Sequence, residues 1–201
     1  MSITIKSIAL IFLIICIDQA SKIFIKLNFA LGEHVEVFNW FQIYFIENNG
    51  MAFGIELIGK LFLTLFRIVA VAGLAYFIHT LIKQNARQGY VLAVSLLLAG
   101  AAGNIFDSLF YGVLFSDSWG MAATFLPETG GYASLFHGKV VDMLYFPLIK
   151  NNAGETLFFS PIFNIADAAI SISVGIILIF YRQDLNRSLD TKKIDNKHDA
   201  S

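Results

Sequence analysis

The chain has 201 residues, of which 57% are hydrophobic and 14% are charged, and its mean hydropathy is +0.68. These values lie far outside the range of soluble globular domains, so the sequence predicts an integral membrane protein. The formal net charge of -1 gives no reason to expect a nucleic-acid partner. Four scattered histidines and a single cysteine lack the spacing of a metal site, so we expect neither a metal nor another cofactor.

Four apolar segments of about 20 residues are each long enough to cross a hydrocarbon core of roughly 30 Å. They lie at approximately 5–26, 60–82, 89–109 and 162–181. The predicted fold class is therefore an all-α integral membrane protein with four transmembrane helices, in one domain that covers residues 1–181. Residues 182–201 form a mixed-charge tail with almost nothing apolar to bury, which predicts disorder.

The segment after the first span contains "HVEVFNWFQIYFIENNG", which is rich in β-branched and aromatic residues with some alternation. This pattern favours short strands at the membrane interface. The alternative is an irregular loop that carries an aromatic belt.

Basic residues predict the orientation of the spans. Lys83 and Arg87 lie in the short turn between the second and third spans, and the tail after the fourth span is also basic. The positive-inside rule places both segments, and with them both termini, in the cytoplasm. The long segments 27–59 and 110–161 are then on the outer side.

Polar residues collect at the outer ends of these spans. An acid at bilayer depth costs roughly 2.5 to 3.5 kcal/mol, so such residues are functional candidates by default. Four separate segments of the chain carry them to one level of the membrane, which predicts a site there. The residues are Asp18, Lys22, Asn104, Asp107, Asp142, Asn164 and Asp167.

Each of these residues also has a structural interpretation. Asp18 and Lys22 are one helical turn apart and could form an ion pair. Asn104 could cap a helix or form an interhelical hydrogen bond, and Asn164 and Asp167 could be helix-start residues.

Carboxylates are the chemistry that the sequence offers, because it contains no Ser-His-Asp set, zinc motif or phosphate loop. Two aspartates held close together share one proton, so that one can act as a base and the other as an acid. Asp142 and Asp167 are the natural pair. Asn48, Asn104 and Asn164 could orient these acids without adding charge.

Five motifs resemble one known family: "DQASK", "NNGMAFG", "AGAAGNIFD", "VVDMLYF" and "FNIADAAI" occur in the order and spacing of the lipoprotein signal peptidases, or signal peptidase II. The resemblance runs from about residue 8 to residue 181. It implies a bacterial inner-membrane aspartic endopeptidase that removes signal peptides from prolipoproteins, cutting before a cysteine that bears diacylglycerol. It also implies four spans and a small sheet over residues 35–54 that holds the substrate.

The same resemblance implies roles for particular residues. Asp142 and Asp167 correspond to the catalytic pair. Supporting positions fall on Asp18, Lys22, Asn48, Gly50, Gly103, Asn104, Asn164 and Ala166. Two features depart from the family pattern. Ser108 stands where an arginine is usual, and residues 109–139 are longer than in many relatives, which suggests either a lid or a solvated insertion.

The expected partners are membrane lipid and lipid-modified prolipoproteins, and we expect a monomer. Two other functions fit the buried acids. A small transporter or proton-relay protein would need a polar path to both sides of the membrane, and the second and fourth spans supply little of one apart from Arg67. A non-catalytic assembly subunit would use polar residues to hold helices together, but it leaves the clustering of acids unexplained.

Overall fold

The fold comes from a computed structural model, which describes residues 1–49, 59–150, 156–158, 161–188 and 190. Three helices are long and apolar enough to cross a membrane, and a fourth span is possible if two helices joined by a 91° bend are counted as one. The helices are α1 (Ile3–Asn28), α2 (Lys60–Lys83), α3 (Gln88–Phe106), the three-residue α4 (Gly112–Leu114) and α5 (Ile165–Phe180).

Two of the predicted span boundaries differ from the structure. The third span continues to Leu114, because a π-helical turn, Asp107–Tyr111, joins α3 to α4. The fourth helix begins at Ile165 rather than near residue 162, because Ile162 and Phe163 pair as a strand and Asn164 is the N-cap of the helix.

A four-stranded antiparallel sheet lies beside the helices, in the strand order β1-β2-β3-β6. The predicted strands are confirmed within residues 35–48, while the predicted continuation over 50–54 lies outside the described residues. The strands are β1 (His34–Phe38), β2 (Phe41–Asn48), β3 (Val140–Tyr145) and β6 (Ile162–Phe163), and a separate two-stranded sheet pairs β4 (Ile149–Lys150) with β5 (Thr156–Phe158).

The register of this sheet brings one predicted site residue next to another. β2 pairs with β3 so that Asn48 is opposite Val140 and Ile46 is opposite Asp142. Asp142 therefore lies on a strand of the sheet, which the sequence did not predict.

Close packing of α3 against α1 and α5 brings the polar residues of these helices together. A Cβ atom at Gly100 would collide with the carbonyl oxygen of Ala166. A Cβ atom at Gly103 would lie 2.7 Å from Asp18 Oδ2. Glycine at both positions therefore lets α3 approach its neighbours closely, as small residues do between membrane helices.

The long segment after α4 packs across the end of α1. The Leu31 amide donates to the Ser118 carbonyl at 2.8 Å, and the Ala123 amide donates to the Lys26 carbonyl at 2.8 Å. Phe115, which is fully buried, packs with Tyr111 in a cluster between this segment and the sheet.

The sequence predicted disorder from residue 182 onward, but Arg182–Ser188 forms a helical segment that turns by 91° from α5. Contacts with the start of α3 explain this difference: Arg87 Nη1 lies 3.1 Å from Asp184 Oδ2, and the hydroxyls of Tyr90 and Ser188 are 3.2 Å apart. The rest of the predicted tail, apart from residue 190, lies outside the described residues.

Candidate active site

Asp142 lies in the middle of β3 and is almost completely buried. Asn164 Nδ2 donates to its Oδ1 at 2.7 Å, and Asn48 Nδ2 donates to its Oδ2 at 3.3 Å. Two carboxamides from two other elements therefore hold this carboxyl group without adding charge.

Asp167 is fixed by the start of α5. Asn164 is the N-cap of this helix, and its Oδ1 accepts from the Asp167 amide at 2.9 Å. Asp167 Oδ2 in turn accepts from the Asn164 amide at 3.4 Å, which completes a capping box. A carboxylate in the first turn of a helix is stabilised by the helix dipole.

Asn104 connects Asp167 to the rest of the site. Its Nδ2 donates to Asp167 Oδ1 at 2.7 Å, and its Oδ1 accepts from Asn164 Nδ2 at 3.1 Å and from Lys22 Nζ at 2.9 Å. Asp142, Asn164, Asn104 and Asp167 thus form one continuous chain of hydrogen bonds, which we name the dyad chain. It joins two aspartates that are 25 residues apart in sequence.

A buried cluster of charges lies directly behind the dyad chain. Lys22 Nζ is 2.9 Å from Asp18 Oδ2 and 2.9 Å from Asp107 Oδ2, and all three side chains are fully buried. The predicted ion pair of Asp18 with Lys22 is confirmed, and Asp107 joins it. Asp18 Oδ1 also accepts from the Ala166 amide at 2.9 Å, which ties α1 to the first turn of α5.

Gln19 belongs to this charged cluster but was missed from the sequence. Its Nε2 donates to Asp107 Oδ1 at 2.8 Å and to Asp18 Oδ2 at 3.1 Å, while its Oε1 accepts from the Tyr111 hydroxyl at 3.0 Å. Asp107 Oδ2 accepts from the Val141 amide at 3.3 Å, so the cluster also supports the strand that carries the first aspartate. The only sequence signal for Gln19 was its place inside "DQASK".

The two aspartates have different electrostatic surroundings. Burial and the neighbouring Asp167 raise the pKa of Asp142 to about 7, although the hydrogen bonds from Asn48 and Asn164 oppose this shift. Asp142 is consequently in part protonated near neutral pH. A pair in which one member retains a proton is what acid and base chemistry by two carboxyl groups requires.

The structure brings together nearly all of the predicted site residues. Asp142, Asp167, Asn48, Asn104 and Asn164 form the polar face, and Asp18, Lys22, Gly103 and Ala166 lie directly behind it. Gly50 lies outside the described residues.

Ser108 is buried next to a cation that comes from another helix. Arg67 Nη1, from α2, donates to Ser108 Oγ at 3.5 Å, and Ser108 Oγ donates to the Asn104 carbonyl at 3.1 Å. The guanidinium group of Arg67 thus lies next to Ser108. This is the position at which the lipoprotein signal peptidases usually have an arginine.

A second buried ion cluster holds the long segment after α4 in place. Lys26 Nζ lies 2.6 Å from Glu47 Oε1 and 3.0 Å from Ser118 Oγ, and Lys139 Nζ lies 2.9 Å from Glu47 Oε2. Burial acts to raise the pKa of Glu47, but the attraction of Lys26 and Lys139 outweighs it and lowers that pKa. The cluster joins α1, β2 and both ends of the long segment after α4, and the sequence did not predict it.

These features define a membrane protein in which a buried aspartate, Asp142, and a partly buried one, Asp167, lie at one end of the helices, against a small sheet. The sequence profile of the family described as Signal peptidase (SPase) II matches residues 10–182. The lipoprotein signal peptidase of Porphyromonas gingivalis is 46% identical over 195 residues, which cover 92% of this chain and 86% of that protein. The lipoprotein signal peptidase of Amoebophilus asiaticus is 30% identical over 211 residues, covering 93% and 86%.

A solved structure is also similar. A bacterial membrane enzyme determined by the in meso method at 2.3 Å resolution superposes with a TM-score of 0.62 at 26% identity, and the match covers 90% of each chain. The chain belongs to the signal peptidase II family and is thereby a protease of the bacterial membrane.

Proposed function

We propose that this chain is an aspartic endopeptidase that removes the signal peptide from diacylglyceryl-modified prolipoproteins, cutting before the lipid-modified cysteine. The observation that carries this proposal is the dyad chain, because it joins the buried carboxyl group of Asp142 and the partly buried one of Asp167 in one hydrogen-bonded unit. The names of the relatives in Porphyromonas gingivalis and Amoebophilus asiaticus support the substrate class.

The surroundings of the two aspartates suggest which of them is the acid and which is the base. Asp167 accepts hydrogen bonds from Asn104 Nδ2 and from the Asn164 backbone amide, and we assign it the role of the base. Burial favours the neutral form of Asp142, so it acts as the acid. Asp167 takes a proton from water as the water oxygen bonds to the scissile carbonyl carbon. Asp142 gives its proton to the departing amine as the C–N bond breaks.

The position of the sheet suits a substrate that is half in the membrane. The β1–β2 hairpin exposes Val35, Val37, Phe38 and Trp40, and apolar and aromatic side chains of this kind favour the boundary between lipid and water. A lipid-modified cysteine at this boundary would reach the dyad without being drawn out of the bilayer. We expect the protein to act as a monomer.

We place the protein in the inner membrane with both termini in the cytoplasm and the dyad at the outer face. Lys83, Arg87 and the basic tail support this orientation. Reporter fusions after residues 85 and 185 should report cytoplasm, and fusions near residues 45 and 125 should report the outer side. A residue 85 on the outer side would contradict the orientation.

Transport is less well supported than hydrolysis. Between the dyad and the cytoplasmic side, residues 68–82 of α2, 88–103 of α3 and 168–180 of α5 contain no Asp, Glu, Lys or Arg. A proton or cation path normally needs such groups through the full depth of the membrane.

The direct test is incubation of the purified protein in detergent with a diacylglyceryl-modified prolipoprotein, with the shorter product followed by mass. An unmodified prolipoprotein of the same sequence is the matched control and should be cut much more slowly. Absence of product from the modified precursor would refute the proposed function.

A further inference from the structure

Arg67 occupies an unusual place in the fold. It lies seven residues, or roughly 10 Å, beyond the start of α2, which is too deep for its side chain simply to be a helix-end residue. An arginine at such depth costs roughly 2.5 to 3.5 kcal/mol unless it faces protein or water. Its position therefore needs a physical reason.

The face of α2 on which Arg67 lies is the face that packs against protein. Thr64, Ile78 and Leu81 are buried on this face at helical spacing, whereas Phe66 and Val69 beside Arg67 are 61% and 70% exposed. Arg67 therefore points away from lipid and toward α3 and α5.

Arg67 and Asp167 line the same cavity. It has a volume of about 280 Å³, and its polar lining comes from Arg67, Asn104 and Asp167, with Ala70, Ala101, Ile105 and Ile170 as its apolar walls. The charges of Arg67 and Asp167 attract each other across this space. Attraction between opposite charges is strong where apolar walls keep the local dielectric constant low.

The two ion clusters near the dyad differ in charge, because the one around Glu47 carries two cations for one carboxylate. Lys22 is held between Asp18 and Asp107, and Glu47 is held between Lys26 and Lys139. The first cluster carries two carboxylates for one cation, so it supplies no surplus positive charge to the dyad.

We propose that Arg67 is a positioning residue that balances the negative charge of Asp167 and thereby makes Asp167 the base of the dyad. This inference rests on the proposed function. It explains why a cation is kept on the protein-facing side of α2. It also gives each aspartate its own influence: burial favours the neutral form of Asp142, and in this proposal the Arg67 cation favours the charged form of Asp167.

The test is the pH dependence of kcat/KM for Arg67→Gln and Arg67→Lys, measured with diacylglyceryl-modified prolipoprotein in detergent. Loss of the cation makes protonation of the dyad easier, so the acid limb of the Arg67→Gln profile should move up by roughly one pH unit. Arg67→Lys keeps the charge and should retain the wild-type profile.

Two further variants separate charge from structure. Lys83→Gln removes the same charge from the far end of the same helix, and Ser108→Ala removes the hydroxyl that accepts from Arg67 without changing charge. Both should leave the acid limb in place.

A wild-type profile in Arg67→Gln would overturn the proposal, as would a Lys variant as strongly shifted as the Gln variant. If Arg67→Gln does not fold, Arg67→Lys alone decides, because a shifted acid limb in that variant would rule out a role of charge. No cleavage by the wild-type protein would refute the proposed function instead, so the two failures are distinct.

Discussion

Asn164 Nδ2 lies 2.7 Å from Asp142 Oδ1, so the residue that caps α5 also holds the aspartate of β3. The same side chain, through Oδ1, holds the amide of Asp167. One asparagine thus sets the position of both aspartates. The separation of the two carboxyl groups depends on where a helix begins and where a strand passes, both of which are rigid features.

We expect that Asp142→Asn or Asp167→Asn will abolish nearly all turnover while the protein remains folded. Each substitution keeps the size and polarity of the side chain but removes the group that exchanges a proton. Because the two aspartates act as a unit, the double variant should be scarcely slower than either single variant. The measurement is kcat with a diacylglyceryl-modified prolipoprotein, and near-normal cleavage by Asp142→Asn would refute the mechanism.

Asp18→Asn and Asp107→Asn are the matched controls for the dyad. Both acids are buried at the same end of the helices. They form ion pairs with Lys22 and do not belong to the dyad chain. They should retain at least partial activity and unfold at a lower temperature than the wild type, because each variant weakens a buried ion pair.

Asn104→Ala and Asn164→Ala should each lower kcat by roughly 10- to 100-fold, because a lost positioning hydrogen bond in a buried site costs about 1 to 3 kcal/mol. Asn28→Ala is the matched control, since this asparagine is exposed and bonds only its own helix at the Phe24 carbonyl. Wild-type turnover in Asn104→Ala and Asn164→Ala would show that these two asparagines serve packing and not catalysis.

The parts of the site that were predicted from sequence depend on local geometry. Asp18 and Lys22 are four residues apart in a helix, so their ion pair follows from helical spacing alone. Asn164 and Asp167 stand three residues apart at the start of an apolar segment, which is the spacing of an N-cap and its N3 residue.

The parts that were not predicted depend on contacts between distant segments. Asp142 was expected in an outer segment, but its place in the sheet depends on the pairing of β3 with β2, which a single sequence does not specify. The partners Lys26 and Glu47 are 21 residues apart on different elements. The start of α5 was placed too early because Ile162 and Phe163 are as apolar as the helix that follows.

Glu47→Gln should destabilise the protein by roughly 3 to 5 kcal/mol, because it leaves the Lys26 cation buried without its counter-charge. Glu36→Gln, on the exposed strand β1, is the matched control and should change stability little. Thermal unfolding in detergent measures the difference. Unfolding of Glu47→Gln at the wild-type temperature would show that the ion cluster does not hold the long segment after α4.

This Glu47 contribution should depend on pH with a definite sign. The folded protein lowers the pKa of Glu47 below its ordinary value, so the stabilisation is present above that ordinary value. It is lost as the pH falls through the lowered pKa. The wild type and Glu47→Gln should therefore converge in unfolding temperature under acidic conditions and differ most near neutral pH.

Asp142 should show the opposite dependence, because its pKa is raised in the folded protein to about 7. A raised pKa means that the folded state binds a proton more tightly than the unfolded state does. The associated stability is complete below the ordinary carboxyl range and is lost as the pH rises through about 7. At pH 8 the wild type must therefore keep a carboxylate in a buried position, whereas Asp142→Asn has no charge to bury.

We expect Asp142→Asn to be more stable than the wild type at pH 8 by on the order of 1 to 3 kcal/mol, and to lose this advantage near pH 4. Unfolding temperatures of both proteins in detergent across this range test the expectation, with Asn28→Ala as a variant whose difference from the wild type should not change with pH. An advantage of Asp142→Asn that is equally large at pH 4 and pH 8 would mean that the carboxyl group of Asp142 does not titrate near neutrality, and the assignment of Asp142 as the acid would lose its physical basis.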